Sequence, residues 1–366
     1  MRVLHVISAL AEGGPEHQLR LLVRRLPHES EVVTLSPPGA VAAALRAAGV
    51  RVHEVSARHD LAAVGPLRRL IRRGRFDLVH AHAHRACLAG RFAARLAGVP
   101  CVVATEHHLD PDAPAGRLYL AGERLGRVTI AATPAVAGRL RACGVPDGRV
   151  TVIPKAVAAE EFRYDPGLRH AVRDRLGIAP DAPVVGGVGR LEPGERFDRL
   201  IRAVAEVPGA VLLLVGDGSA RTALERLAEI EGIADRVRFA GAVGHPRAML
   251  SAMDVFASPG DHTFGLVVLE AIAAGLPALY ARCTPLEELA EARAAVGGSR
   301  RLTPHDRESL PRQLRAELLC LAERHFARLP PRTAGRRYDA DHQAAAVARV
   351  YACASRPSGR ALGHRC

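Results

Sequence analysis

Short apolar runs and amphipathic stretches alternate along this chain, and four of the amphipathic stretches stop on a glycine: Gly49, Gly74, Gly98 and Gly144. Few folds accept that pattern. The runs Arg2–Ser8, Glu31–Ser36, Arg51–Val55, Phe76–His80, Cys101–Thr105, Val128–Ala132 and Arg149–Ile153 read as strands. Leu19, Leu22, Val23 and Leu26 fall at i, i+3, i+4 and i+7, the spacing of a helix with one buried face. Helices are expected likewise over Val41–Ala48, Leu61–Arg73, Arg85–Ala97 and Ala135–Cys143, each closed by its glycine. Repeated strand–helix units imply a parallel sheet covered on both faces. A polar, proline-marked stretch, Pro154–Pro183, then interrupts the pattern. It restarts with strands Val184–Gly189, Ala210–Val215, Val237–Ala240, Val255–Ala257 and Pro277–Ala281. Helices Phe197–Ala205, Ala220–Glu231, His245–Ala252 and Phe264–Ala274 separate them. The sequence therefore predicts an α/β chain of two Rossmann-like domains in series, with the cleft between them as the natural ligand site. A length of 366 residues suits two domains.

Charge and cysteine usage narrow the partners. The chain carries 51 basic against 38 acidic residues, net +13, and Lys155 is its single lysine. That excess reads equally as attraction to anionic surfaces or as the arginine-rich usage of a GC-rich genome. Aromatics are 4% with no Trp, which argues against a stacking platform for single-stranded nucleic acid, so no nucleic-acid partner is expected. Seven cysteines, an odd number without paired short spacing, point to reduced thiols in a cytoplasm and against a disulfide framework or zinc cluster. No apolar run approaches the ~18 residues of a membrane span. Met1-Arg2 leads straight into an apolar run, so no leader peptide is expected.

The stretch from Ser258 to Glu288 carries the most chemistry. It reads as strand, loop, helix and strand, the helix closed by Gly275 and Pro277. In open parallel sheets, ligands bind at loops on the carboxyl ends of strands. Glu270 sits mid-helix after such a loop, and a carboxylate there can accept both hydroxyls of a ribose diol. Within this stretch, FGLVVLEAIAAGLP resembles the signature of the retaining family 4 glycosyltransferases of the GT-B fold. That signature is a Glu, seven residues, and a second Glu. The second falls on Glu270; the first falls on His262, beside Asp261 and before Thr263, Phe264 and Gly265. Where the family has Gly-Gly before the next helix this chain has Thr284-Pro285, and Glu288 matches the family's Glu.

Other positions fit the resemblance in varying degree. Gly13-Gly14, between the first strand and helix, lets backbone N–H groups approach an anion; unaided by the resemblance it reads as a plain turn. The fingerprint G-x-G-x-x-G is absent, which counts against NAD. Gly216-Asp217-Gly218 resembles the family's Gly-x-Gly turn and reads as scaffold first and pocket wall second. Gly189-Arg190-Leu191 resembles the segment whose Arg contacts the donor diphosphate, a task suited to a guanidinium fork. The lysine expected five residues on is Glu195, and Arg196 follows it. His107, in TEH, resembles the family's His near the transferred sugar, with His108 as the other register. His80, His82 and His84 alternate at a strand end and could gather a metal, yet the family needs none, so no metal is expected.

The resemblance implies transfer of a sugar, from a UDP-sugar or similar nucleotide diphosphate donor, to an acceptor hydroxyl with retention and no cofactor. Catalytic roles fall on His107, Arg190 and Glu270. Donor contacts fall on Gly13, Gly14, Arg190, Arg196, Gly216, His262, Thr263, Phe264, Gly265 and Glu270. The acceptor would be a sugar, a lipid-linked molecule or another small molecule. The implied layout is residues 1–160 for the acceptor domain, 161–335 for the nucleotide-sugar domain, 336–354 for a helix crossing back, and 355–366 for a disordered tail. Arg68, Arg69, Arg72, Arg73 and Arg75 surround Leu67, Leu70 and Ile71, and Arg20, Arg24 and Arg25 flank the first helix, so peripheral attachment at an inner membrane face is expected. The departures at Glu195 and His262 leave open a non-catalytic GT-B-fold binding protein; a hydrolysing sugar-nucleotide epimerase is a third reading.

Overall fold

The structure, a computed structural model, describes residues 1–11, 13–56, 60–108, 117–260, 264–288, 299–303, 306, 308–329 and 338–356. The chain divides into two compact units, Met1–Ala156 with the terminal helix, and Val157–Asp339.

The first unit runs β1 (Arg2–Ile7), α1 (Gly14–Val23), β2 (Glu29–Thr34), α2 (Ala40–Ala47), β3 (Arg51–Glu54), α3 (Asp60–Gly74), β4 (Leu78–His82), α4 (His84–Ala97), β5 (Cys101–Glu106), α5 (Arg117–Glu123), β6 (Val128–Ala131), α6 (Pro134–Ala142) and β7 (Val150–Val152). Its seven strands are all parallel, in the order β3-β2-β1-β4-β5-β6-β7. The order reverses direction between β1 and β4. Side chains alternate across the sheet as strands require. Leu4, Val6, Val79, Ala81, Val102 and Ala104 face a core shared with Leu67 and Ile71 of α3 and Ala89 and Ala93 of α4. Val3, Leu78 and Val103 face the opposite way, against Val347, Val350 and Tyr351 of a terminal helix, Ala340–Ala354. His5, His80, His82 and Thr105 share that second face by the same alternation.

The second unit runs α7 (Pro166–Arg175), β8 (Val184–Val188), α8 (Phe197–Ala205), β9 (Val211–Val215), α9 (Arg221–Ile230), β10 (Val237–Phe239), α10 (Arg247–Ala252), β11 (Val255–Ser258), α11 (Leu266–Ala273), β12 (Ala278–Tyr280), α12 (Thr284–Glu288), β13 (Arg300–Arg301) and α13 (Ser309–Glu323); the terminal helix is α14. Its strands are parallel in the order β10-β9-β8-β11-β12-β13, with the reversal between β8 and β11. Asp254, just before β11, fastens this unit from inside. Its carboxylate lies 2.7 Å from the Arg173 guanidinium and 2.8 Å from that of Arg169, and accepts the Val184 N–H. Arg173, 3% exposed, gives its remaining N–H groups to the carbonyls of Ala179, Pro180, Ala182 and Ala252. A buried pair satisfied this fully is held in place, because removing either charge strands the other.

Several expectations need correction. The unit boundary falls at Ala156, not 160, because the Val157 N–H already bonds the Tyr338 carbonyl and Val157 bridges Asp339. Return to the first unit begins at Ala340, not 336. The stretch read as irregular, Pro154–Pro183, contains α7, started by Asp165, whose side chain caps the N–H groups of Gly167 and Leu168, with Pro166 next. Leu67 and Ile71 are 0% and 1% exposed, so that apolar strip of α3 faces the sheet, while Arg68, Arg69, Arg72 and Arg73 are outside. The six described cysteines are all free. Helix α14 ends at Ala354, and 357–366 lie outside the described residues.

Candidate functional site

In the second unit the strand order reverses direction between β8 and β11, the position at which open parallel sheets take ligands. The loops after those two strands touch. A Cβ on Gly260, after β11, would meet the Glu195 backbone, after β8, at 2.8 Å. Gly216, ending β9, takes φ +139°, and a Cβ there would fall 1.8 Å from the Gly189 carbonyl oxygen. Its N–H bonds the Gly241 carbonyl at 2.9 Å. Gly216 is thus a packing residue that lets the β8 and β9 loops lie together.

Arg190 stands on the β8 loop, exposed, with no ion pair among the described residues. Arg196 differs. It adopts the left-handed conformation at the head of α8 (φ 56°), and its guanidinium grips Asp198 at 3.1 Å. There it lines an outer groove of about 560 Å³ formed with α8 and α9. The structure therefore separates Arg196 from the Arg190 position. Glu195 is the residue turned toward the strand end: its Oε2 lies 3.1 Å from the position a Gly189 Cβ would take.

Glu270 lies in the second turn of α11, 8% exposed, and its carboxylate makes no hydrogen bond or ion pair among the described residues. Burial, with the Glu161 carboxylate second, pushes its pKa up to about 7. Gly265 caps α11 with φ 82° and packs on Cys283, whose Sγ would lie 2.9 Å from a Cβ added there. Phe264 is core, set edge-on to Tyr338. Asp261, His262 and Thr263 lie outside the described residues, as does the Glu288 side chain.

In the first unit the reversal lies between β1 and β4. Gly13 caps α1 in an extended conformation, and the Glu16 carboxylate lies against it, 2.3 Å from where a Cβ would be. An anion at these N–H groups has to displace that side chain. Ala83, after β4, holds φ 64° and ψ 156°, a region essentially reserved for glycine. His107 follows β5, and both its ring nitrogens are buried with no hydrogen-bond partner among the described residues. Burial, with nearby Lys155 second, lowers its pKa to about 3, so the ring is neutral. Burial also lowers the pKa of Lys155. His82, Thr105, His107, Lys155, Gln18 and Gln343 share a cavity of about 20 Å³, room for one water.

Sequence spacing grouped His80 and His82 with His84, and the structure corrects this. His84 heads α4 and stacks on Tyr119 with ring centroids 4.5 Å apart. His5 takes its place, because β1 pairs with β4 and sets His5 opposite His80.

Known proteins agree with this architecture. Residues 13–161 match the family model described as Glycosyltransferase Family 4, and residues 169–298 the model described as Glycosyl transferases group 1. The lipopolysaccharide core biosynthesis glycosyltransferase LpsE of Rhizobium meliloti is 43% identical over 111 residues, 30% of this chain and 33% of that protein. A D-inositol 3-phosphate glycosyltransferase of Actinosynnema mirum is 34% identical over 238 residues, 57% of this chain and 56% of that one. The chain thus spans about a third to about half the length of these curated relatives. Among solved structures, Anabaena Alr3699/HepE in complex with UDP and glucose aligns with TM-score 0.78 at 22% identity, covering 96% of this chain and 100% of that one. A glycosyltransferase from Rickettsia africae aligns with TM-score 0.77 at 13% identity, covering 98% and 99%. The two sheets and their flanking helices are those of the GT-B fold.

Proposed function

The chain belongs to the GT-B glycosyltransferases whose halves match the family 4 and group 1 models, and on that premise we propose that it moves a sugar from a nucleotide diphosphate donor to an acceptor hydroxyl with retention of configuration. One observation carries the proposal: Glu270, a nearly buried carboxylate at the ligand edge of the second unit, makes no hydrogen bond to any described residue. Protein carboxylates that deep are ordinarily bonded. A ribose diol supplies the two donors it needs.

Arg190, exposed on the neighbouring loop, stabilises negative charge as it develops on the leaving diphosphate. Fixed charge aimed at a developing anion usually lowers such a barrier more than any other single effect. His107, neutral, offers one donor and one acceptor to the sugar. His262 and Thr263, which precede Phe264 and Gly265 in the sequence, are assigned to the donor with them, as are Gly13 and Gly14 of the first unit. The nucleotide is read as UDP, in line with the UDP bound to the solved Anabaena neighbour. The acceptor is a sugar, a lipid-linked molecule or a small molecule. Among the described residues no helix is long and apolar enough to cross a membrane. The exposed arginines of α3 give a purely electrostatic attachment to an anionic inner membrane face.

Glu195 supports a second reading. A carboxylate beside Gly189 opposes an incoming diphosphate, as expected of a binding protein with a degenerate donor site. A panel of nucleotide sugars, scored for released nucleoside diphosphate, separates the two. Release from one donor that stops in Glu270→Ala supports transfer. Protection against melting by UDP without release from any donor supports binding alone.

A further inference from the structure

We propose that His5, His80 and His82 form a zinc site inside the first unit, separate from the donor chemistry of the second. Their three ligand nitrogens all lie within 4.8 Å of one another, and the side chains are 0%, 0% and 2% exposed. Three features make the trio a ligand set. The first is rigidity: all three stand on paired strands, with His5 opposite His80 and His82 two residues further along the same face. The second is orientation. His5 Nδ1 and His82 Nε2 face each other at 3.0 Å. A zinc ion with bonds of about 2.0–2.1 Å in tetrahedral geometry holds its nitrogens roughly 3.3 Å apart, so this pair opens by only a few tenths of an ångström. The third is support. His80 bonds Tyr351 Oη at 2.6 Å through Nδ1 and Thr105 Oγ1 at 2.7 Å through Nε2. Whichever nitrogen turns to the ion, the other keeps a partner that fixes its tautomer, the usual outer-shell arrangement of zinc-bound imidazoles.

As a protein-only network the trio is incomplete. A single proton bridges His5 and His82, and His5 Nε2 is buried with no hydrogen-bond partner among the described residues. Three neutral nitrogen ligands suit zinc, which completes its tetrahedron with water or hydroxide. The cavity of about 20 Å³ that His82 and Thr105 line has room for one such molecule. Hydroxide there also lowers the charge of the buried ion, which three neutral ligands do not offset. His107 and Lys155 border the same space; Lys155 opposes a cation, and its lowered pKa limits that opposition. Magnesium and calcium, which want oxygen ligands, have no purchase here.

The test uses the full-length, tag-free protein, stripped with chelator and dialysed against zinc, cobalt(II), magnesium or calcium. About one zinc per chain should survive gel filtration, and cobalt should give the intense visible bands of tetrahedral nitrogen coordination. His5→Gln and His82→Gln should each lose at least about tenfold in zinc affinity, while magnesium and calcium leave every form unchanged. Zinc retained equally by the parent and both variants would place the metal on other histidines and overturn the site. If neither variant folds, the parent's cobalt spectrum still tests the site: a pale octahedral spectrum or no uptake refutes it.

Discussion

Replacing Glu270 with glutamine should stabilise the protein at alkaline pH. The carboxyl has a folded pKa near 7 against an ordinary 4.5, chiefly because burial disfavours its charge and secondarily because Glu161 is near. A carboxyl raised in this way is easy to bury while protonated. Its stability contribution is therefore complete below about pH 4.5 and is lost as the pH climbs through 7. At about 1.4 kcal/mol for each pH unit, the gap is worth about 3 kcal/mol above pH 7. Glu270 is only 8% exposed, so solvent screening removes little of this. Glutamine has nearly the same shape and never ionises. At pH 8 the Glu270→Gln variant should exceed the parent by about 3 kcal/mol, which in a domain of this size moves the melting midpoint by roughly 6–12 °C. At pH 5 most of that advantage should vanish. The assay is calorimetric melting of the full chain at several pH values, without ligand. A constant difference between variant and parent from pH 5 to pH 8 would mean that Glu270 is not a strained carboxylate, and a ligand diol would no longer be needed at this position.

Other expectations are independent of that one. Arg190→Ala should weaken UDP by about 1.5–3 kcal/mol and leave uridine nearly unchanged, since the lost bond is to phosphate; equal UDP affinity by calorimetry would refute the role. Asp254→Asn should destabilise the second unit by about 3–5 kcal/mol in urea melts, because Arg173 stays buried without its counter-charge; a cost under about 1 kcal/mol would show that carbonyls alone suffice. Gly216→Ala should fail to give soluble protein or melt far below the parent, given a left-handed φ of 139° and a Cβ 1.8 Å from a carbonyl oxygen. Parent-like stability there would show that the β8 loop can retreat. Binding to anionic vesicles should appear at low salt, fade at high salt, and fall when Arg68, Arg69, Arg72 and Arg73 become Ser; equal pelleting with neutral vesicles would exclude an electrostatic attachment.

What the sequence revealed tracks what local chemistry encodes. Glycines closing helices were legible because a left-handed residue is needed there: Gly49, Gly98, Gly144 and Gly275 all hold positive φ. Gly74 shows the limit, since it remains helical and Arg75 takes the positive φ instead. Helix α7 had a readable start in Asp165-Pro166, but its polar surroundings masked it. Helix α13 begins at a Glu308 that makes no side-chain cap, so its start was not marked. The placement of Glu270 on α11 and of Arg190 on the loop after β8 was legible from motif and spacing. His5 was not, because its partners come from sheet order, and nothing local says that β1 pairs with β4. The turn of Arg196 toward Asp198 was likewise hidden, since it follows from one left-handed residue at the head of α8.

The terminal helix Ala340–Ala354 imposes an order on synthesis. Val3, Leu78 and Val103 are made early, but the residues that cover them, Val347, Val350 and Tyr351, leave the ribosome only after the whole intervening unit. At about 5–20 residues per second, the nearly two hundred intervening residues take on the order of 10–40 s. Throughout that interval α1 and α2 cover only part of that face of the nascent N-terminal sheet, and the apolar strip around Val3, Leu78 and Val103 stays open for chaperones to hold and for neighbouring chains to stick to. The intervening unit is contiguous in sequence and is free to fold first. A stop codon near residue 339 would therefore spare the last-made domain and cripple the first-made one.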